Sequence, residues 1–225
     1  MRRNRFAFAA LAALAAAAAA PAARAASDSE ELVVKAQLTA EKMIAHPEMP
    51  QLTSWLKRAR GVLIVPSLLK AGFILGGEGG TGVLLAKATD GSWSSPAFYS
   101  IGAASFGLQI GLETAEVVFF VMSDKALKAW MSDEVKLGAD ASVAVGPTGR
   151  GVEGATTLNL DADIYSFALT RGLFGGVSFE GSVAAVRGEW NEAYYGKPVE
   201  PKDILIGRTV SNRQADKLRE TLAVR

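Results

Sequence analysis

Cysteine is absent from the 225 residues, and histidine occurs once, at His46. Without cysteine there is no disulfide scaffold, no thiolate metal cluster and no thiol nucleophile. One histidine leaves little for imidazole-based acid–base or metal chemistry. Excess positive charge is also missing. Once Arg2, Arg3, Arg5 and Arg24 of the first 25 residues are set aside, acids outnumber bases, which argues against a nucleic-acid binder. Glycine is missing from the first 60 residues, whereas all 23 glycines lie between Gly61 and Gly207. After the leader, no apolar run reaches the length of a membrane-spanning helix. These scarcities argue against an enzyme, and no cofactor is implied.

What is present begins with a leader. Arg2, Arg3 and Arg5 precede an alanine-dominated apolar run from Phe6 to Ala20, and Ala23-Arg24-Ala25 offers small residues for cleavage. Residues 1–25 are therefore expected to be a signal peptide, and residues 26–225 a single exported domain, periplasmic or envelope-associated.

The jump in glycine content divides that domain into a helical part (about 28–60) and a β-rich part (about 61–196), with a C-terminal helix at about 211–222. Leu32, Ala36, Ala40, Met43 and Ile44 recur at helical spacing, with Asp28 or Ser29 as the expected cap. A shorter helix is expected over Gln51–Arg60. Asp90-Gly91 marks a hairpin between Thr81–Thr89 and Ser92–Ser100. Val117 to Met122 is apolar at every position, so that strand should be covered on both faces. Ser123 should cap a central helix. Further strands are expected at 139–145, 158–164 and 176–186, with a turn at 146–149. Ser211 and Gln214 should form a capping box for the last helix. The expected fold class is α+β: a curved antiparallel sheet or barrel-like core, rich in glycine, with N-terminal, central and C-terminal helices packed on it.

Three candidate chemistries are weak. Gly77 to Gly82 spells G-x-G-x-x-G, yet the residues after it run into a hairpin and no acidic partner follows at the right distance. A glycine-kinked strand or a loop is the better reading. Gly176-Val177-Ser178-Phe179-Glu180 approximates a nucleophile elbow, but its last position is not glycine, and His46 at a helix end is a poor triad partner. Asp161 and Asp163, two apart on a strand, could join Asp140 around a hard cation, but without the glycine loop of a calcium site they read better as a solvated stripe.

Stronger is the stretch from Met49 to Gly77. It holds Lys57, Arg58, Arg60 and Lys70 with no acid, interleaved with Trp55, Leu56, Leu68, Leu69, Phe73, Ile74 and Leu75. Cations near an anionic surface contribute about 1 kcal/mol each, and Trp and Leu enter the interface beside them. The competing reading makes Trp55 and Phe73 core residues and the cations a solubilising rim.

Ordered motifs then become recognisable: Lys70-Ala71-Gly72-Phe73, Gly77 to Gly82, Asp90-Gly91-Ser92-Trp93-Ser94-Ser95-Pro96, Leu137-Gly138-Ala139-Asp140, Arg171 to Ser182, and Asn191-Glu192-Ala193-Tyr194-Tyr195-Gly196. Together they resemble the SYLF domain, also called the Ysc84 actin-binding domain, over roughly Leu32 to Leu222. The resemblance implies a non-enzymatic lipid-binding module, with phosphoinositide-binding and actin-binding relatives. In those relatives the lipid helix corresponds to the segment around Leu32–Ile44. Here Asp28, Glu30, Glu31 and Glu41 outnumber Lys35 and Lys42, which shifts the expected lipid-binding residues to Lys57, Arg58, Arg60, Lys70 and Trp55. The expected partner is an anionic phospholipid surface. The alternative is a protein-interaction module of the cell envelope without direct lipid binding.

Overall fold

The computed structural model describes residues 4–47, 49, 52–72, 75–106, 111–146, 162–170, 173–175 and 179–224. Helix α1 spans Asn4–Ile44 and α2 spans Leu52–Arg58. Four long strands follow: β1 (Gly61–Gly72), β2 (Leu75–Ala86), β3 (Ala97–Phe106) and β4 (Gly111–Val121). After helix α3 (Asp124–Ala129) come the short strands β5 (Glu134–Lys136), β6 (Val143–Val145), β7 (Ile164–Thr170), β8 (Leu173–Gly175) and β9 (Val183–Val186). Helix α4 (Gly188–Tyr195), a π turn at Asp203–Gly207, a 3-10 turn at Arg213–Ala215 and α5 (Asp216–Leu222) complete the order.

The strands form one curled sheet in the order β5-β9-β3-β2-β1-β4-β7-β6, with β8 also on β7. Its described pairings are antiparallel except β6 with β7. This is the curved α+β architecture expected from the sequence, with β1 and β4 adjacent in its interior.

The apolar run of β4 is covered on both faces. Val118 and Phe120 join Val62 and Ile64 of β1 beneath α1 and α2, in a core that takes in Leu32, Val33, Ala36, Ala40 and Met43. Val117, Phe119 and Val121 join Leu63 and Val65 on the opposite face, against Ala126, Leu127 and Trp130 of the α3 region and Ile204 and Leu205 of the π turn. Strict alternation along paired strands sends neighbouring apolar residues to opposite layers, so a continuous apolar strand demands both.

The helix ends differ in part from expectation. Ser123 does cap α3, its hydroxyl accepting from Ala126 N at 3.0 Å. Neither Asp28 nor Ser29 caps the helix: α1 continues through both, and the buried Ser29 hydroxyl donates to Ala26 O at 2.8 Å. At the other end Asn212, not Ser211, takes the capping role, accepting from Gln214 N at 3.1 Å. Asp90-Gly91 does turn the chain, with Gly91 at φ +84° and Asp90 Oδ1 accepting from Ser92 N. The strands on either side of that turn are displaced from the expected bounds, and β2 starts six residues earlier, at Leu75. Helix α4 was not expected from the sequence. Residues 147–149 of the expected turn, and 158–161 and 176–178 of expected strands, lie outside the described residues.

The glycine run is strand, and two of its members have a packing reason. Pro66 has no N–H for the ladder, and the register of β1 on β2 skips between Ile64 and Ser67. The resulting bulge presses on β2. A Cβ on Gly82 would meet Ile64 O at 2.6 Å, and one on Gly80 would meet Ser67 O at 2.6 Å. A Cβ on Gly77 would meet only Ala103 O, at 3.6 Å.

Gly82→Ala should therefore destabilise the fold by about 1–3 kcal/mol, as overpacking does, while Gly77→Ala should shift stability by about 0.5 kcal/mol or less. Urea denaturation midpoints of the two variants check this, and equal effects would contradict it.

Candidate docking site

Helix α2 is short, and its apolar residues point down. Leu52, Trp55 and Leu56 are buried, and the Trp55 ring lies 4.6 Å from Tyr165, 5.6 Å from Phe167 and 6.4 Å from Phe120. The charges that the helix presents at its surface are those of its basic last turn, Lys57 and Arg58. The Arg58 guanidinium stacks 4.6 Å above the Trp55 ring. The chain then enters the sheet, where Arg60 N donates to Val121 O at 2.7 Å.

The last carbonyls of α2 are satisfied from outside. Lys87 Nζ, reaching over from the end of β2, donates to Leu56 O and to Lys57 O. A cation at a helix carboxyl end complements the partial negative charge there. The same ammonium sits 5.0 Å over the Trp93 ring, and burial pulls its pKa below the ordinary lysine value. Trp93 in turn donates from Nε1 to Leu222 O at 3.0 Å, which fastens α5 to the hairpin.

Lys57, Arg58, Arg60, Lys87, Trp93 and Leu222 thereby line one open cleft of about 340 Å³. Arg60 is the one of its four cations held by an ion pair, with Nε 3.2 Å from Asp124 Oδ1 among the described residues. Lys57 and Arg58 are exposed. Such a cleft can receive anionic groups, since its cations are already gathered on a rigid floor.

Two of the expected site residues do not belong to it. Lys70 stands at the far end of β1, about 30 Å from Gly61 at the rise of a strand, and its Nζ is 3.1 Å from Glu78 Oε2. Trp55 is 6% exposed, so its ring serves the core and cannot enter a membrane. Phe73 and Ile74 lie outside the described residues. Lys87, by contrast, escaped the sequence reading because it falls outside the Met49–Gly77 stretch. The clue was the Asp90-Gly91 turn, which folds Lys87 onto Trp93 as a bridged pair.

The weaker candidates resolve into structure. Gly77 to Gly82 is a strand that no helix follows directly, so it is not a phosphate loop. Asp163 Oδ1 accepts from Ser123 Oγ at 2.5 Å, while Oδ2 accepts from Ser142 N at 3.1 Å and Oγ at 3.0 Å. Lys125 Nζ adds an ion pair at 3.5 Å. Asp140 Oδ2 accepts from Lys136 N at 2.7 Å. Both carboxylates hold turns together, and among the described residues no three acids or histidines gather as a metal site. Asp161 and Ser178 lie outside the described residues.

Comparison with known proteins bears on the whole chain. The family model described as Ysc84, Las17-binding protein actin regulator, matches residues 102–225. The chain belongs to the Ysc84 family. It is similar to the SH3 domain-containing YSC84-like protein 1 of Homo sapiens, 38% identical over 168 residues, covering 74% of this chain and 49% of that one. It is also similar to Protein YSC84 of Saccharomyces cerevisiae, 36% identical over 173 residues, covering 76% of this chain and 37% of that one. LAS seventeen-binding protein 3 of the same yeast is 38% identical over 156 residues, covering 68% of this chain and 34% of that one. The chain thus spans about half the length, or less, of the curated relatives it matches. Within this Ysc84-family chain the cleft joins two parts: its cations precede the matched segment, and Leu222 closes it from within that segment.

The hydrogen bonds to Asp163 favour its ionised form and hold its carboxyl below the usual range, led by the Ser123 bond. A depressed folded value stabilises above the unfolded value of about 3.9 and is lost as pH falls through the folded one. Asp163→Asn should therefore cost about 1–3 kcal/mol at neutral pH, with the gap from wild type closing below about pH 4. Parallel urea titrations at several pH values measure it; a gap independent of pH would contradict it.

Proposed function

We propose that the chain is an interaction module without chemistry of its own, exported to the cell envelope, whose cleft of Lys57, Arg58, Arg60 and Lys87 receives an acidic protein surface. The observation that carries this reading is the convergence of those four cations on one cleft. Complementary charge steers such a partner and fixes its register. A protein partner is favoured because the matched family is described as Las17-binding and actin-regulating, and because the burial of Trp55 takes away the aromatic that a membrane docking mode would use.

Anionic phospholipid is the second reading, and the exposure of Lys57 and Arg58 supports it. Each cation near an anionic surface contributes about 1 kcal/mol. Export rests on the leader of residues 1–25, and intact mass of the protein recovered from the envelope fraction checks it: the chain should begin at Ala26.

Co-sedimentation with actin filaments, and separately with anionic vesicles, distinguishes the partners. The combined variant Lys57→Ala, Arg58→Ala, Arg60→Ala should weaken binding to the engaged partner at least about tenfold, and added salt should weaken wild-type binding in the same direction. Pelleting with vesicles alone would favour lipid over protein. Unchanged binding by the triple variant would remove the cleft as the docking site.

A further inference from the structure

Helix α1 commits one stripe to the core: Leu32, Val33, Ala36, Ala40 and Met43 are buried together. Val34 and Leu38 lie outside that stripe, one turn apart on another face of the helix. They are 51% and 56% exposed. The other large apolar side chains exposed among the described residues, Leu69 and Ile206, stand singly on β1 and the π turn. Scattered apolar residues are ordinary on a protein surface, whereas neighbouring ones form a patch.

The C-terminal elements run beside this pair. Ala215, Leu218 and Leu222 enter the same core as the α1 stripe, and Thr221 Oγ1 donates to Glu41 Oε1 at 3.3 Å. Between α1 and these elements lies an open groove of about 580 Å³. On the α1 side it is lined by Glu30, Glu31, Val34 and Leu38; on the other, by Arg213 of the 3-10 turn and Lys217 of α5. All six side chains are exposed. The groove therefore carries acids along one side, bases along the other, and apolar surface on its acidic ridge.

We infer that this groove is a contact between two copies of the chain. A two-fold axis running along it lays α1 of each copy over the 3-10 turn and α5 of the other. Each acidic side then meets a basic side, and Val34 and Leu38 of both copies leave water. The charge pattern selects this occupant. An anionic membrane would press its head groups on Glu30 and Glu31, and a partner of one charge sign would be repelled along one side of the groove. A second copy supplies both signs in the order the groove requires. The contact is separate from the basic cleft, which α5 borders at its other end, with Leu222, so the two readings stand or fall independently.

Sedimentation equilibrium of the full chain tests the inference, with melting curves to confirm that each variant is folded. Wild type should form a reversible dimer that added salt weakens. Leu38→Asp should raise its dissociation constant at least tenfold. So should Glu30→Lys with Glu31→Lys, which makes both sides of the groove basic, and Arg213→Glu with Lys217→Glu, which makes both acidic. An equimolar mixture of those two charge-reversed variants should dimerise again, because each then meets its opposite on both sides. Should one of them fail to fold, wild type and Leu38→Asp decide alone. A wild-type chain that stays monomeric overturns the inference, as does a Leu38→Asp chain that dimerises like wild type. A mixture of folded charge-reversed variants no more associated than its components overturns it too.

Discussion

Burial of the central strands on both faces is the constraint on which the structure depends. β1 and β4 are apolar at consecutive positions over Val62–Val65 and Val117–Val121, and a strand of that kind leaves no face for water. One layer must come from α1 and α2, the other from the α3 region and the π turn. The need for both layers explains why helices precede, interrupt and follow the strands. It also explains why α3, although only six residues long, has its cap bound into the Asp163 network that ties it to the start of β7.

The cleft lies where that constraint ends. β1 begins at Gly61, directly after the basic last turn of α2, so the residues that cannot enter the core collect at the sheet margin. Lys87 holds the arrangement by joining the end of β2 to the carboxyl end of α2. It is a structural cation first: part of its charge answers the helix end, and burial lowers its affinity for a proton. Lys57 and Arg58 then supply the exposed charge. Arg58 is also held, since its guanidinium rests on a Trp55 ring that the core fixes from below. A docking surface ordered before its partner arrives loses less conformational entropy on binding.

Much of this was legible in the sequence. Continuous apolarity of Val117 to Met122 required two covering layers, and both are there. Helical spacing found Leu32, Ala36, Ala40 and Met43 because a helix buries one stripe, and Asp90-Gly91 located a turn because it needs a left-handed backbone. Other features were less readable, for physical reasons. Acid-free composition grouped Lys70 with Lys57, Arg58 and Arg60, but extended chain carries residues apart quickly, and Glu78 reached Lys70 from the neighbouring strand, where only the register could reveal it. Trp55 looked equally suited to core or interface, and its partners Tyr165 and Phe167 lie more than a hundred residues away in sequence. The glycines of β2 read as loop or kink until the bulge at Pro66 showed what Gly80 and Gly82 make room for. Lys87 gave only an indirect sign, the Asp90-Gly91 turn that folds it onto Trp93, since its role depends on a helix end contributed by a distant part of the chain.

Lysine acylation footprinting in the presence and absence of actin filaments tests the docking claim most directly, because it reports individual side chains on the unaltered protein. The account expects bound filaments to suppress labelling of Lys57 strongly while Lys70, paired with Glu78 at the far end of β1, labels as before. Binding that leaves Lys57 fully reactive, or that protects Lys70 in its place, would contradict it.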